Sequence, residues 1–173
     1  MLFRSARGEK AKAEALQKKI ERYESDPEKG EGKRAQLPQW FADRLGWEQL
    51  VDDVAAVAAG MNPAERERAI VLAPSYGQAG ALEFLGRGRD LPPVYAVQNS
   101  YFHWGPPADP VDAAIMLGPF PEDAVRSLFD EAKIVAVHDC EWCMPWRDVT
   151  SIWLAQGQKV RFADAWPRLK HFE

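Results

Sequence analysis

Three short segments carry residue types able to do chemistry. The first, Ala73-Pro74-Ser75-Tyr76-Gly77-Gln78-Ala79-Gly80, follows the apolar run Ala69-Ile70-Val71-Leu72 and leads into a short apolar stretch ending at Gly86. A strand that turns through glycine into a helix leaves backbone N–H groups unpaired at the helix start, a ready site for an anion or a hydroxyl. At the carboxyl edge of a parallel sheet, that turn is where open α/β folds bind ligands. Tight turning for packing is the competing role for Gly77 and Gly80. The second segment, Gln98-Asn99-Ser100-Tyr101-Phe102-His103-Trp104-Gly105-Pro106-Pro107, sets aromatic rings beside amides. Rings cover the apolar C–H face of a sugar while amides pair with its hydroxyls, although the same rings can simply staple a loop to a core. Tyr76, Gly77, Gln78, Gln98, Asn99, Tyr101, His103 and Trp104 are therefore the candidate ligand-binding residues. Tyr76, Gln78, Gln98, Asn99 and Trp104 are expected to converge on one cleft at the ends of the first two strands.

The third segment is Cys140-Glu141-Trp142-Cys143, with His138 two residues before it. A structural zinc site needs four ligands, and one C-x-x-C pair supplies two. Recruiting His138 and His103 would complete such a set only if the fold brought them together, so no metal is expected. A redox pair of the thioredoxin kind sits at a helix start, whereas Pro145-Trp146-Arg147-Asp148 reads as a loop. Outside the cytoplasm Cys140 and Cys143 would form a local disulfide; inside it they would be packed thiols.

Catalytic chemistry finds little support. The three histidines are scattered, and no nucleophile, base and orienting group stand together. Gly77-Gln78-Ala79-Gly80 lacks the third glycine of a dinucleotide fingerprint, and Gly86-Arg87-Gly88 closes the helix instead of opening it. No catalytic residue and no cofactor are assigned. Asn99-Ser100-Tyr101 is not a glycosylation acceptor.

These segments need elements to position them. Gln39 to Ala59 reads as a helix interrupted near Gly46, with Trp40, Phe41, Leu45, Leu50, Val51, Val54 and Val57 inward, and Met61-Asn62-Pro63 stops it. Pro63 to Glu67 starts a short turn. Strands are expected at Arg68 to Ala73, Val94 to Gln98, Asp112 to Leu117, Lys133 to His138 and Ser151 to Ala155, with helices at Gln78 to Leu85, Glu122 to Ala132 and Phe162 to Leu169. Short apolar strands separated by helices imply an α/β fold: a three-layer, Rossmann-like domain with a mostly parallel sheet covered on both faces.

The chain divides in composition. Residues 1–34 hold ten Lys/Arg against seven Asp/Glu, a net +3, and the remaining residues twelve against nineteen, a net −7. Ala11 to Tyr23 has good helix formers but a thin apolar stripe, so a solvated helix is expected, followed by a flexible linker from Ser25 to Arg34. The division is thus a charged helical or flexible segment, 1–34, and an α/β domain, 35–173. An acidic body argues against nucleic-acid binding, which needs a basic face. Met1-Leu2-Phe3 runs at once into charge, so no signal peptide is read, and no apolar run approaches the ~20 residues of a spanning helix. Lys18, Lys19, Arg22, Lys33 and Arg34 would suit a juxtamembrane position over anionic lipid.

Several motifs carry a resemblance. In order and with similar spacing, Leu37-Pro38-Gln39-Trp40-Phe41-Ala42-Asp43, Tyr76-Gly77-Gln78-Ala79-Gly80-Ala81, Gln98 to Pro106, Cys143-Met144-Pro145-Trp146 and Ala165-Trp166-Pro167-Arg168-Leu169-Lys170-His171 resemble the soluble C-terminal domain of bacterial integral-membrane glycosyltransferases. Those proteins are similar to the dolichyl-phosphate-mannose protein mannosyltransferase family, glycosyltransferase family 39. The resemblance implies an accessory domain at the extracytoplasmic face, whose partner is the membrane glycosyltransferase core, in cis or as a separate subunit, and whose ligand is a sugar, a sugar phosphate or the acceptor. In that family the transfer is done by acidic residues on loops of the membrane part, using a polyprenyl-phosphate sugar. None of those residues maps onto this chain, so no transfer is expected from it alone. Without a membrane attachment the chain would be cytoplasmic. Two other classes remain open from the residues themselves: an independent small-molecule-binding or enzymatic Rossmann-like domain, and a purely structural or protein-interaction domain.

Overall fold

The computed structural model describes residues 37–118, 120, 122–144 and 149–172, with Glu14, Ala15, Lys18 and Glu21 before them. Those four are helical and exposed. The expected linker from Ser25 to Arg34, and Pro145 to Asp148, lie outside the described residues.

The elements run α1 (Gln39–Ala42), α2 (Trp47–Ala59), α3 (Pro63–Arg66), β1 (Ala69–Ala73), α4 (Tyr76–Leu85), β2 (Val94–Ala96), α5 (Asn99–Phe102), β3 (Ala113–Leu117), α6 (Glu122–Leu128), β4 (Phe129–Asp139), β5 (Val149–Gln158) and α7 (Phe162–Leu169). The sheet has strand order β2-β1-β3-β5-β4. β1 pairs in parallel with β2 and β3, while β5 is antiparallel to both β3 and β4. Four strands therefore point one way and β5 the other, so the fold is α/β with a mixed sheet around a parallel core. The reversal follows from chain length. A parallel connection needs a crossover of a dozen or more residues, and residues 140–148 between β4 and β5 are too few.

β1 and β3 are buried along their whole length. Because successive strand residues point to opposite faces, two cores result. On one face Val71, Ala73, Ala113, Ile115 and Leu117 meet Leu50, Val51 and Val54 of α2 and Ala79 and Leu82 of α4. On the other, Ile70, Leu72, Ala114 and Met116 meet Val125 and Leu128 of α6 and Phe162, Ala165 and Trp166 of α7.

Two expectations are corrected. The helix expected from Glu122 to Ala132 stops at Leu128, and β4 begins at Phe129. Pairing of Phe129 with Gln158 and of Ala132 with Ala155 overrides the local helix preference of Asp130-Glu131-Ala132. Trp40, Phe41 and Leu45 do not face inward. Gly46 takes the left-handed conformation, φ 79°, which separates α1 from α2, and within α1 only Ala42 is buried. Both sheet edges are irregular: β2 has three residues, and β4 carries a register shift between Ile134 and Ala136.

α7 is capped from outside itself. Its N-cap residue, Arg161, makes no side-chain cap. Instead the Asp109 carboxylate accepts hydrogen bonds from the Phe162 N–H at 2.9 Å, from the Ala163 N–H at 3.3 Å and from the Gln158 side-chain amide. Burial pushes the Asp109 carboxyl upward, but these donors and Arg161 outweigh it and hold the group below its ordinary 3.8. A pKa depressed on folding contributes stability above the unfolded value, and that stability disappears as pH falls through the folded value. Asp109→Ala is expected to cost about 1 kcal/mol at pH 7, as lost caps do. The gap to the parent should narrow in thermal unfolding near pH 3; an unchanged gap would disprove the charge-assisted cap.

Candidate ligand site at the carboxyl edge of the sheet

The chain leaves β1 for β2 on one side and then crosses back to β3 on the other, so strand order reverses at β1. Such a reversal separates the connecting segments at the carboxyl edge and makes that edge the ligand-binding position of open α/β sheets. Both sequence-predicted segments emerge there, because β1 and β2 are parallel neighbours with Ala73 beside Ala96.

The turn into α4 is already furnished. The Ser75 hydroxyl accepts from the Gln78 N–H at 3.2 Å and donates to Gln78 Oε1 at 3.1 Å, and the Ser75 carbonyl accepts from the Ala79 N–H. Tyr76 N–H donates to Gln98 Oε1 at 3.1 Å. The donors of Tyr76, Gln78 and Ala79 at this helix start are thus engaged within the protein, and the side chains of Gln78 and Gln98 are buried as their acceptors and supports. Gln98 thus joins the two segments, whereas Gln78 braces its own turn. Gly77 serves packing: a Cβ there would stand 3.2 Å from Trp47 Cη2, so the missing side chain lets α4 approach α2. Tyr76 itself points outward, 54 % exposed.

The aromatic segment forms a short helix, α5, instead of an open loop. Asn99 opens it at φ 51°, a left-handed conformation that asparagine tolerates better than most residues. Two points on the C-terminal segment, His171 and Trp166, hold it down. His171 N–H donates to the Val97 carbonyl and Asn99 N–H to the His171 carbonyl. The Trp166 indole N–H donates to the Phe102 carbonyl at 3.0 Å, and the two rings stack at 5.8 Å. Phe102 is therefore the staple, whereas His103 and Trp104 are exposed. Tyr101 stands between these roles. Its hydroxyl donates to Glu83 Oε2 at 2.6 Å, and its ring meets that of Trp104 at 4.2 Å. Burial first, and then the bond and charge of Glu83, push the Tyr101 phenol up to about 12. Of the expected cluster, then, Tyr76 and Gln98 are in contact, Asn99 adjoins them along the chain, and Trp104 is tied to Tyr101 and the middle of α4.

The thiol pair is a disulfide. Cys140 and Cys143 are bonded, with Cα atoms 5.5 Å apart, at the carboxyl end of β4. A disulfide sulfur has no proton to donate, so the 3.1 Å approach of Cys143 Sγ to the Leu45 carbonyl is a packing contact. Gly46 lies against both sulfurs. His138 is buried and shares a 2.8 Å hydrogen bond with Asp53 through Nδ1. His103 lies beyond β2, at the other edge of the sheet, and among the described residues no cluster of three or more His, Cys, Asp or Glu side chains is arranged to hold a metal ion. Pro145 and Trp146 lie outside the described residues.

The sequence reading missed Glu83, Trp166 and Asp53 as positioning residues. A single acid on a helix surface reads as solvated, and a histidine's partner 85 residues away leaves no local trace. The quoted motifs nevertheless fall into two contact groups. Tyr76 to Ala81, Gln98 to Pro106 and Ala165 to His171 pack on one another, while Leu37 to Asp43 leads into the Leu45-Gly46 turn that packs on the Cys140–Cys143 disulfide. Comparisons with protein-family models, curated proteins and solved structures find no match to this chain.

Proposed function

We propose that the domain is an accessory sugar- or sugar-phosphate-binding unit of a polyprenyl-phosphate-sugar-dependent membrane glycosyltransferase, acting at the extracytoplasmic face beside the membrane core that performs the transfer. The observation that carries this reading is Trp104. Its ring is 69 % exposed, yet it leans on Tyr101, which is pinned to Glu83. An exposed ring held in position offers a stacking face to a sugar at little ordering cost. Two observations add support: a disulfide is the state expected outside the cytoplasm, and three motifs of the glycosyltransferase resemblance, Tyr76 to Ala81, Gln98 to Pro106 and Ala165 to His171, adjoin one another in space. On this reading the fold is a three-layer, Rossmann-like scaffold with its ligand at the carboxyl edge. Trp104 stacks on the sugar, Tyr76 flanks it, Asn99 and His103 pair with hydroxyl or phosphate oxygens, and Gln78 and Gln98 shape the turn.

One shallow stacking contact adds only about 0.5–1.5 kcal/mol beyond area burial, so dissociation constants near millimolar, roughly −4 kcal/mol, are expected. NMR titration with a panel of sugars and sugar phosphates should shift Asn99, His103 and the Trp104 indole. Trp104→Ala should weaken the response by about two- to tenfold and leave stability within about 0.5 kcal/mol, as exposed positions do. Absence of shifts at these residues across the panel would leave a structural or protein-interaction domain as the surviving reading.

A further inference from the structure

The aromatic side of the carboxyl edge gathers positive charge in a domain that is otherwise acidic. Residues 91–107 and 165–172, which build it, contain no Asp or Glu, whereas residues 35–173 together carry a net −7. Of the exposed basic groups there, Lys170 and His103 share their neighbours. The Lys170 ammonium stands 4.4 Å from the centre of the Phe172 ring and 5.5 Å from that of Phe102. The His103 imidazole meets the same two rings edge-on, each at 5.6 Å. One pair of rings thus carries both groups. The rings are themselves fixed: Phe102 stacks on Trp166, and Phe172 follows His171, whose backbone bridges Val97 and Asn99. Among the described residues neither Lys170 nor the His103 ring has an acidic partner.

We propose that Lys170 and His103 form a phosphate subsite, so that the ligand at this edge is a phosphorylated sugar and not a neutral one. The inference rests on the ligand reading above and narrows it. Aromatic faces hold an ammonium in place without neutralising it, so the charge of Lys170 stays available to an anion. The ammonium offers three donors and the imidazole an N–H, a set that matches the several acceptor oxygens of a phosphate. Hydrogen bonds of this charge-assisted kind are roughly twice as strong as neutral ones. Position agrees with chemistry. Both residues lie on segments at the edge where strand order reverses, and His103 is the chain neighbour of Trp104, which sets the phosphate beside the stacking face. Charge supplies the contrast: an anion repelled by the acidic remainder of the domain meets here a stretch free of carboxylates. A free sugar phosphate and a lipid-linked sugar present the same phosphate oxygens, as a monoester and as a diester.

The test is NMR titration of the full chain with four probes: inorganic phosphate, methyl glucoside, glucose 1-phosphate and the methyl diester of glucose 1-phosphate. Inorganic phosphate alone should shift Lys170 and His103. Glucose 1-phosphate or its diester should bind about fivefold tighter than methyl glucoside, the tighter of the two identifying a free or a lipid-linked source, and the gain should shrink at high salt. Lys170→Ala should abolish the gain, so that charged and neutral sugars bind alike, while Lys170→Arg, which keeps the charge, should retain it. Equal binding of charged and neutral sugars by the parent chain, with shifts at Trp104, would overturn the phosphate subsite and leave the sugar reading standing. Phosphate shifts that survive Lys170→Ala would overturn it as well. Shifts from inorganic phosphate with none at Trp104 from any sugar would support the subsite and sink the sugar reading, and silence from all four probes would end both.

Discussion

Gly46→Ala should destabilise the domain by about 3 kcal/mol or more, the range reserved for special-backbone and packing failures. Two effects add. The backbone at Gly46 has φ 79°, and an L-residue held in that left-handed region costs about 1–2 kcal/mol. The new methyl would then lie 2.5 Å from Cys143 Sγ and 2.7 Å from Cys140 Sγ, well inside van der Waals contact, so the disulfide turn or the start of α2 must shift. Urea unfolding of the single variant measures the sum. The same substitution in a Cys140→Ala, Cys143→Ala background separates the parts, because neighbours that share a contact are not additive. Without the sulfurs the cost should fall back to the backbone term of about 1–2 kcal/mol. Equal costs in both backgrounds would mean that the glycine is required by the turn alone.

The second large effect is expected at Phe129. It is fully buried, begins β4 where α6 ends, and meets the equally buried ring of Phe162 at 6.1 Å. Truncating a buried phenylalanine removes its transfer energy and leaves a cavity, together about 3–5 kcal/mol. Phe129→Ala should therefore lower the urea midpoint strongly, and Phe162→Ala similarly. The double variant should cost less than the sum by about 0.5–1.5 kcal/mol, the coupling of an aromatic pair. A cost below about 1 kcal/mol for Phe129→Ala would show that this face of the sheet repacks freely.

What could be read in the residues, and what could not, divides by range. Ala69-Ile70-Val71-Leu72 and Ala113 to Leu117 are apolar at every position and too short for a buried helix, as a strand buried on both faces would be, and both are central strands. The helix expected from Gln78 starts two residues earlier, at Tyr76, where the Ser75 hydroxyl caps it. Phe129 to Ala132 was not legible as strand, since the partner that imposes it, Gln158 to Ala155, is an element away. The direction of β5 depended on counting residues 140–148, not on any pattern within them. At the site, the aromatic and amide residues were visible as types, but their division of labour was not. Gln98 reads as a ligand contact with no sign of its bond to the Tyr76 N–H, and Phe102 is distinguished from Trp104 only by Trp166.

The irregular sheet edges bear on what the folded chain does in the company of its copies. A long, flat outer strand displays a row of unpaired N–H and C=O groups that another molecule can extend into a fibril. Here one outer strand, β2, is three residues long and its continuation is closed by His171, which bridges to Gln98. The other, β4, is eleven residues long but is broken by its register shift and carries exposed Glu131 and Lys133. The native sheet therefore offers no straight template for strand addition. Clumping by strand addition, where it occurs, has to begin from chains that have first come partly undone.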